Sequence, residues 1–226
     1  MVNNILVVAA HPDDEVLGCG GTIRKHIQNG DNVSVLILSD GVTSRNIAGN
    51  NKLEISERNS SCNKANKILG VKNLFLESYS DNQMDKHSLL DIVKKIEEIV
   101  LKLKPNILYT HHNSDINIDH RITHDAVIVA ARPQPESTIE KLLFFEIPSS
   151  TEWRPGSSDN TFNPNWFEDI TETIDVKIDA INCYEAELRE FPHPRSIKAI
   201  KALATWRGAS ISVEAAEAFV LGRCIN

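Results

Sequence analysis

The chain has 226 residues, 41% of them hydrophobic, with 24 Lys+Arg against 31 Asp+Glu and a formal net charge of -7. That is enough apolar material for one substantial core but too little length for two full-sized domains without a visible linker, so a single domain over residues 1–226 is expected. The acidic balance, with no basic cluster long enough to follow a phosphate backbone, argues against nucleic acid as a partner.

Met1-Val2-Asn3-Asn4 lacks a positive n-region, and the apolar run behind it is far shorter than a signal-peptide core or a membrane span. A cytoplasmic chain with no membrane span is expected. Ile5 to Ala10 is continuous and rich in β-branched residues, the pattern of a strand buried on both faces. A glycine-rich entry, Gly18-Cys-Gly-Gly21, follows His11-Pro-Asp-Asp-Glu15 and predicts a first helix over Thr22 to Asn29, stopped by Gly30. A strand is predicted over Val33 to Leu38, a helix over Leu53 to Leu69 closed by Gly70, and a short strand over Asn73 to Leu76. Leu89 to Leu103 carries a helical apolar stripe, and Pro105 separates it from a strand at Ile107 to Thr110. Asp119 to Ala131 reads as a helix, Lys141 to Glu146 as a strand, and Pro148 to Pro164 as a long polar loop holding Trp153. The rest predicts a strand at Phe167 to Ile174, helices at Val176 to Arg189 and Ile197 to Ala204, and a last strand at Glu217 to Leu221.

Repeated βα units close most economically as a mostly parallel, Rossmann-like sheet with helices on both faces. Such an α/β fold places functional residues at the carboxyl ends of its strands. Cys19, Cys62, Cys183 and Cys224 are scattered without a C-x-x-C pair, as expected of free thiols. The Gly18–Gly21 run lacks dinucleotide-loop spacing and follows carboxylates that would repel a pyrophosphate.

Chemistry concentrates in two places. His11-Pro12-Asp13-Asp14-Glu15 puts an imidazole and three carboxylates at the end of the first strand. Buried together they would repel one another, and a divalent cation is the simplest neutraliser; the bland alternative is an acidic helix start favoured by the helix dipole. Thr110 to Arg121 gathers more of the same types at the end of another predicted strand. Catalytic zinc takes three His, Asp or Glu ligands and keeps a position open, so two ligands from the first loop and one histidine from the second would complete a site. Spacing does not choose among His111, His112, His120 and His124.

The pairing of Ala10-His-Pro-Asp-Asp-Glu15 with Asn117-Ile-Asp-His120 resembles the PIG-L/LmbE-like family of zinc-dependent N-acetylglucosaminyl deacetylases. Gly20-Gly21 and Pro192-His-Pro-Arg-Ser196, similar to a region of a bacterial branch, extend the resemblance over nearly the whole chain. It implies one Zn²⁺ per chain on His11, Asp14 and His120, with Asp13 as general base. It further implies removal of an N-acyl group, acetyl above all, from an amino sugar or its conjugate. The common second motif, His-Pro-Asp-His, has Asn117 here in place of its first histidine. An amide can donate to an oxyanion but cannot act as a general acid near neutral pH. His193 is the first candidate to fill that role, and Asp13 acting as base and then acid the second. Asp119 reads either as orienting an imidazole from behind or as a helix N-cap.

Arg58, Arg195 and Trp153 are candidates for contacting the sugar, against readings as a solvated helix face, a surface turn and a loop anchor. Two rivals keep parts of this scheme. A metal-dependent phosphoesterase gathers the same residue types but favours two metals, and a non-catalytic sugar- or metal-binding protein would tolerate Asn117. A homo-oligomer is compatible with all three.

Overall fold

The computed structural model describes residues 2–43, 51–156 and 161–225. Its elements are β1 (Asn4–Ala9), α1 (Asp14–Gln28), β2 (Asn32–Ser39), α2 (Asn51–Leu69), β3 (Asn73–Tyr79), α3 (Leu89–Leu103), β4 (Ile107–His111), α4 (Ile118–Ala130), β5 (Lys141–Phe145), β6 (Trp166–Asp169), α5 (Ile174–Asn182), α6 (Ile197–Ala209) and β7 (Ala216–Cys224). The strands form one sheet in the order β3-β2-β1-β4-β5-β7-β6. The first five are parallel, and β7 runs antiparallel to both β5 and β6.

The period of two in β1 explains why it is apolar throughout. Ile5, Val7 and Ala9 pack on one face with Val16 and Ile23 of α1, Leu69 of α2 and Ile181 of α5. Leu6 and Val8 pack on the other with Ile92 and Ile96 of α3 and Val127 of α4. Each Val, Leu or Ile so removed from water contributes about 1.5–3 kcal/mol before entropy. The helix stops match expectation: Gly30 and Gly70 take φ of 85° and 92°, where other residues are strained. The four cysteines are free, and among the described residues no helix is long and apolar enough to cross a membrane.

Several boundaries differ from those predicted. The first helix starts at Asp14 rather than Thr22 and is broken at Cys19 (φ -149°, ψ 26°). Its glycines serve packing: a Cβ on Gly18 would meet the Phe145 ring at 2.5 Å, and one on Gly21 would meet Ile170 at 2.8 Å. The break is served by a buried ion pair. Lys177 Nζ donates to Leu17 O at 2.8 Å and to Glu217 Oε1 at 2.6 Å. Glu217 in turn accepts from the Gly21 and Thr22 amides at 2.9 and 2.7 Å, capping the second half of α1 from β7.

Phe167 to Ile174 is a strand only as far as Asp169, and α5 already starts at Ile174 and ends at Asn182, with a single 3₁₀ turn at Glu185–Glu187 beyond it. β3, α6 and β7 extend past the predicted ends at Leu76, Ala204 and Leu221. Of the long loop, residues 157–160 lie outside the described residues; the remainder, including Trp153, has neither helix nor strand.

Candidate metal and catalytic site

β1 and β4 are neighbours, with β2 continuing the sheet on one side and β5 on the other. This is the switch point at which an open α/β sheet leaves a crevice beyond its carboxyl ends. His11, Asp13 and Asp14 follow β1, and His120 lies in the first turn of α4, after β4. His11 Nδ1, Asp14 Oδ2 and His120 Nε2 converge, each 3.2 Å from the other two. Of the four histidines in the second segment, His120 is the one in this group. His111 instead accepts the Ala10 amide on Nε2 at 2.9 Å and stacks on His120 at 4.1 Å between centroids. His124 donates from Nδ1 to His111 O at 2.8 Å, and the His112 ring meets Phe162 edge-on.

Each imidazole of the group is held from behind by carboxylates. His11 Nε2 lies 3.1 Å from Asp119 Oδ2 and 3.0 Å from Asp81 Oδ1. His120 Nδ1 lies 3.0 Å from Asp115 Oδ2. A proton on the rear nitrogen leaves a lone pair on Nδ1 of His11 and on Nε2 of His120, both aimed into the cluster. Asp119 also accepts the amides of Asn82 and Met84 at 2.7 and 3.0 Å. His11, Asp81 and Asp119 form a second set with metal-ligating spacing, but an ion there would compete with those amides and for the same imidazole. Asp115 is fixed by Asn117 N at 2.8 Å, by Thr151 Oγ1 at 3.0 Å and by Ser150 Oγ.

The cluster is electrostatically suited to a cation. Burial alone would lower the His120 pKa, but Asp14 and Asp115 raise it to about 9. Burial would raise the Asp14 carboxyl, and His120, His111 and His11 hold it well below the usual carboxylate range. Asp14 Oδ1 is buried with no hydrogen-bond partner. A His/Asp/His donor set with an orphaned carboxylate oxygen fits a divalent metal of the zinc type.

Asp13 is 3% exposed and holds a backbone conformation, φ 118° and ψ -28°, that residues with a side chain rarely adopt. Glu15 stabilises it by accepting the Asp13 amide at 3.0 Å, and is itself fixed by Tyr184 Oη at 2.7 Å and Asn66 Nδ2 at 2.9 Å. The Asp13 carboxylate receives Arg195 Nη1 at 2.9 Å and Arg58 Nη2 at 3.3 Å on Oδ2, while Oδ1 has no hydrogen-bond partner. Burial raises its pKa, and the two guanidinium groups oppose that rise. Arg58 is thus buried rather than on a solvated helix face, and also pairs with Glu187. Arg195 additionally donates to Ser149 Oγ at 2.8 Å.

Asn117 is the N-cap of α4, its Oδ1 accepting Asp119 N at 2.8 Å, so the capping role falls to Asn117 and not to Asp119. His193 Nδ1 accepts the Arg195 amide at 3.0 Å, which leaves the proton of the neutral ring on Nε2. The ring stands edge-on to Trp153 at 5.7 Å, and Trp153 is 49% exposed. Asp81, Asp115 and the Tyr184–Glu15 pair had not been singled out from the sequence. The one available signal for Asp81 was its place just beyond a strand, obscured because β3 runs to Tyr79 and not Leu76.

His112 gives a pH prediction outside the His11, Asp14 and His120 cluster. Burial, with help from His124, pushes it down to about 4. A histidine that binds protons less readily folded than unfolded leaves stability intact above about pH 6.5 and erodes it as pH falls toward about 4. His112→Gln should therefore flatten the loss of urea midpoint between about pH 7 and about pH 5. An unchanged slope would remove His112 from the acid response.

Comparison with known proteins places these features. The diacetylchitobiose deacetylase of Thermococcus kodakarensis is 28% identical over 219 residues, covering 84% of this chain and 72% of that protein. The N,N'-diacetylchitobiose deacetylase of Pyrococcus horikoshii superposes with a TM-score of 0.80 at 20% identity, over 97% of this chain and 83% of that one. The 4-carboxy-2-hydroxymuconate hydratase GalB of Pseudomonas putida KT2440 superposes with a TM-score of 0.77 at 21% identity, over 100% and 98%. At such identities the two superpositions establish a shared fold, and the hydratase shows that this fold accommodates more than one chemistry. The family model described as GlcNAc-PI de-N-acetylase matches residues 6–131, a segment that holds all three clustered side chains and Asp13. The chain belongs to the GlcNAc-PI de-N-acetylase (PIG-L) family.

Proposed function

We propose that the chain is a zinc-dependent hydrolase that removes an N-acetyl group from an amino sugar or its conjugate, releasing acetate and a free amine. The observation that carries this reading is the three-atom cluster of His11, Asp14 and His120 beside a strained, buried carboxylate that is not part of it. One metal per chain, with both imidazoles committed from behind to carboxylates, favours amide hydrolysis over a two-metal phosphoesterase.

Bound zinc would supply a Lewis acid for the amide carbonyl and lower the pKa of water to about 7. Asp13 takes the proton of the attacking water; a C–O bond forms at the carbonyl carbon, the C–N bond breaks, and the proton passes to the departing amine. Arg58 and Arg195 keep Asp13 ionised and aimed. His193, with its proton on Nε2, donates to the developing oxyanion or to the amine, and Asn117 Nδ2 is the alternative donor, since its Oδ1 is spent on the helix cap. Trp153, 49% exposed beside His193, offers a ring for a pyranose face, and Arg195, its side chain 20% exposed, offers donors for the hydroxyls, whereas Arg58 is spent on Asp13 and Glu187.

The test is purified protein of measured metal content, incubated with N-acetylated sugars and sugar conjugates and assayed for acetate and primary amine. Release that is lost to a chelator and restored by about one zinc per chain is expected; zinc-loaded protein that releases neither product from any of them would refute the reading. Asp115→Asn, which weakens the support of His120, should lower zinc affinity about 10- to 100-fold in a chelator competition. Unchanged affinity would deny Asp115 that role.

A further inference from the structure

The turn that follows β5 touches both halves of the site. Ser149, with φ of 67°, holds the left-handed conformation that favours glycine. With the chain so turned, two neighbouring hydroxyls reach different partners. Ser149 Oγ accepts from Arg195 Nε at 2.8 Å, and the same guanidinium donates through Nη1 to Asp13 Oδ2 at 2.9 Å. Ser150 Oγ donates to Asp115 Oδ1, and the other oxygen of that carboxylate lies 3.0 Å from His120 Nδ1. One serine is thus a single side chain away from Asp13, and the next is a single side chain away from the cluster.

The turn is held as a unit. Glu152 accepts the Ser149 and Ser150 amides at 2.6 and 3.2 Å. Ser150 O accepts the Ile116 amide at 3.3 Å, and Arg154 Nη1 donates to Asp115 O at 2.9 Å, which ties the turn to the loop between β4 and α4. Thr151 Oγ1 accepts the Ile147 amide at 2.8 Å and donates to Asp115 Oδ2 at 3.0 Å. A planar guanidinium anchored at Nε has little freedom to turn about its stem, so Nη1 stays on Asp13. Freed at Nε, the fork can rotate, and the carboxylate it holds can drift.

We propose that Ser149 and Ser150 are positioning residues with separate tasks: Ser149 aims Asp13 by holding Arg195, and Ser150 sets metal affinity by holding Asp115 on His120. The first task rests on the hydrolase reading, in which Asp13 is the base. The second is read from metal binding alone and stands apart from the reaction.

Ser149→Gly removes the hydroxyl and puts in its place a residue that takes a positive φ without strain, so the turn is kept. With every protein zinc-loaded and the best N-acetyl sugar of the panel at saturation, kcat should fall about 10-fold or more, within the loss that a misplacement of about 1 Å can cause. The zinc affinity of this variant, from chelator competition, should match wild type. In an Asp13→Asn background the same change should leave kcat where Asp13→Asn alone put it, because Arg195 then has no base to aim. Ser150→Ala should lower zinc affinity about 10-fold, the low end for a partner outside the ligands, since Thr151 keeps its bond to Asp115. Wild-type kcat in Ser149→Gly, or an equal fold loss in both backgrounds, overturns the task given to Ser149. Unchanged zinc affinity in Ser150→Ala overturns that of Ser150, and equal losses of affinity in the two variants overturn the division between them. Zinc-loaded wild type that hydrolyses no N-acetylated sugar sinks the hydrolase reading and the task of Ser149 with it, a failure distinct from the others because it appears before any variant is made.

Discussion

Replacing Asp13 by asparagine is expected to lower the rate of acetate release by about 10²- to 10⁴-fold while the zinc content of the protein stays at the wild-type level. The two halves of that expectation have separate causes. Asp13 contributes no atom to the cluster of His11, Asp14 and His120, so a metal held there would lose no ligand. Asparagine has nearly the same shape and can still accept from Arg195 on its oxygen, but it cannot take a proton from water near neutral pH. A metal-replete Asp13→Asn protein that keeps its rate would show that the base lies elsewhere. A variant that loses both zinc and rate would show that Asp13 acts on the metal group itself. Arg58 and Arg195 sharpen the test, because two cations beside a neutral amide have lost their counter-charge, and a modest fall in stability should accompany the fall in rate.

A second large effect is expected far from the chemistry. Lys177→Met should destabilise the fold by about 3–5 kcal/mol, read from the urea midpoint, because it leaves Glu217 charged and buried without its partner. Both side chains of the pair are about 95% removed from solvent, at 5% and 4% exposure. The carbonyl of Leu17 loses its donor in the same step. The double variant Lys177→Met/Glu217→Gln should recover part of the loss, since a neutral amide can still accept one of the two amides at the break in α1. If the single variant is as stable as wild type, the pair is not what holds the two halves of that helix in line.

The convergence of the turn after β1 with His120 could be looked for in the chain because the turn's signal is local. A run of Ile, Leu and Val with no alternation has to be buried on both faces, and polar residues right after it have to stand at a strand end. The likeness of His11, Asp14 and His120 to a known pattern then picked one histidine of four, a choice that spacing did not make. What escaped was held by contacts between distant residues. The stretch of α1 around its break has three glycines and a cysteine where helix propensity is poor, and the cap of its second half is Glu217, 196 positions from Gly21. Asp81 and Asp115 sit in polar stretches with no period, so nothing local separates them from a solvated loop. Arg58 looked like surface because its helix is largely polar, yet Asp13 and Glu187 draw it inward. The antiparallel return of β7 was invisible for a similar reason: a strand's own residues do not record the direction of its neighbour.

The strand order also decides how the molecule meets copies of itself. Among the described residues, β3 and β6 are the strands left with an unpaired side. β6 has four residues and ends in Glu168 and Asp169. β3 shifts register against β2 between Ile37 and Ser39, while Lys102 of α3 lies over its Phe75 ring at 5.0 Å. A short acidic border and an irregular one are poor templates for adding a foreign strand. Growth by edge-to-edge β pairing, the common route to fibrils, is therefore discouraged at both borders.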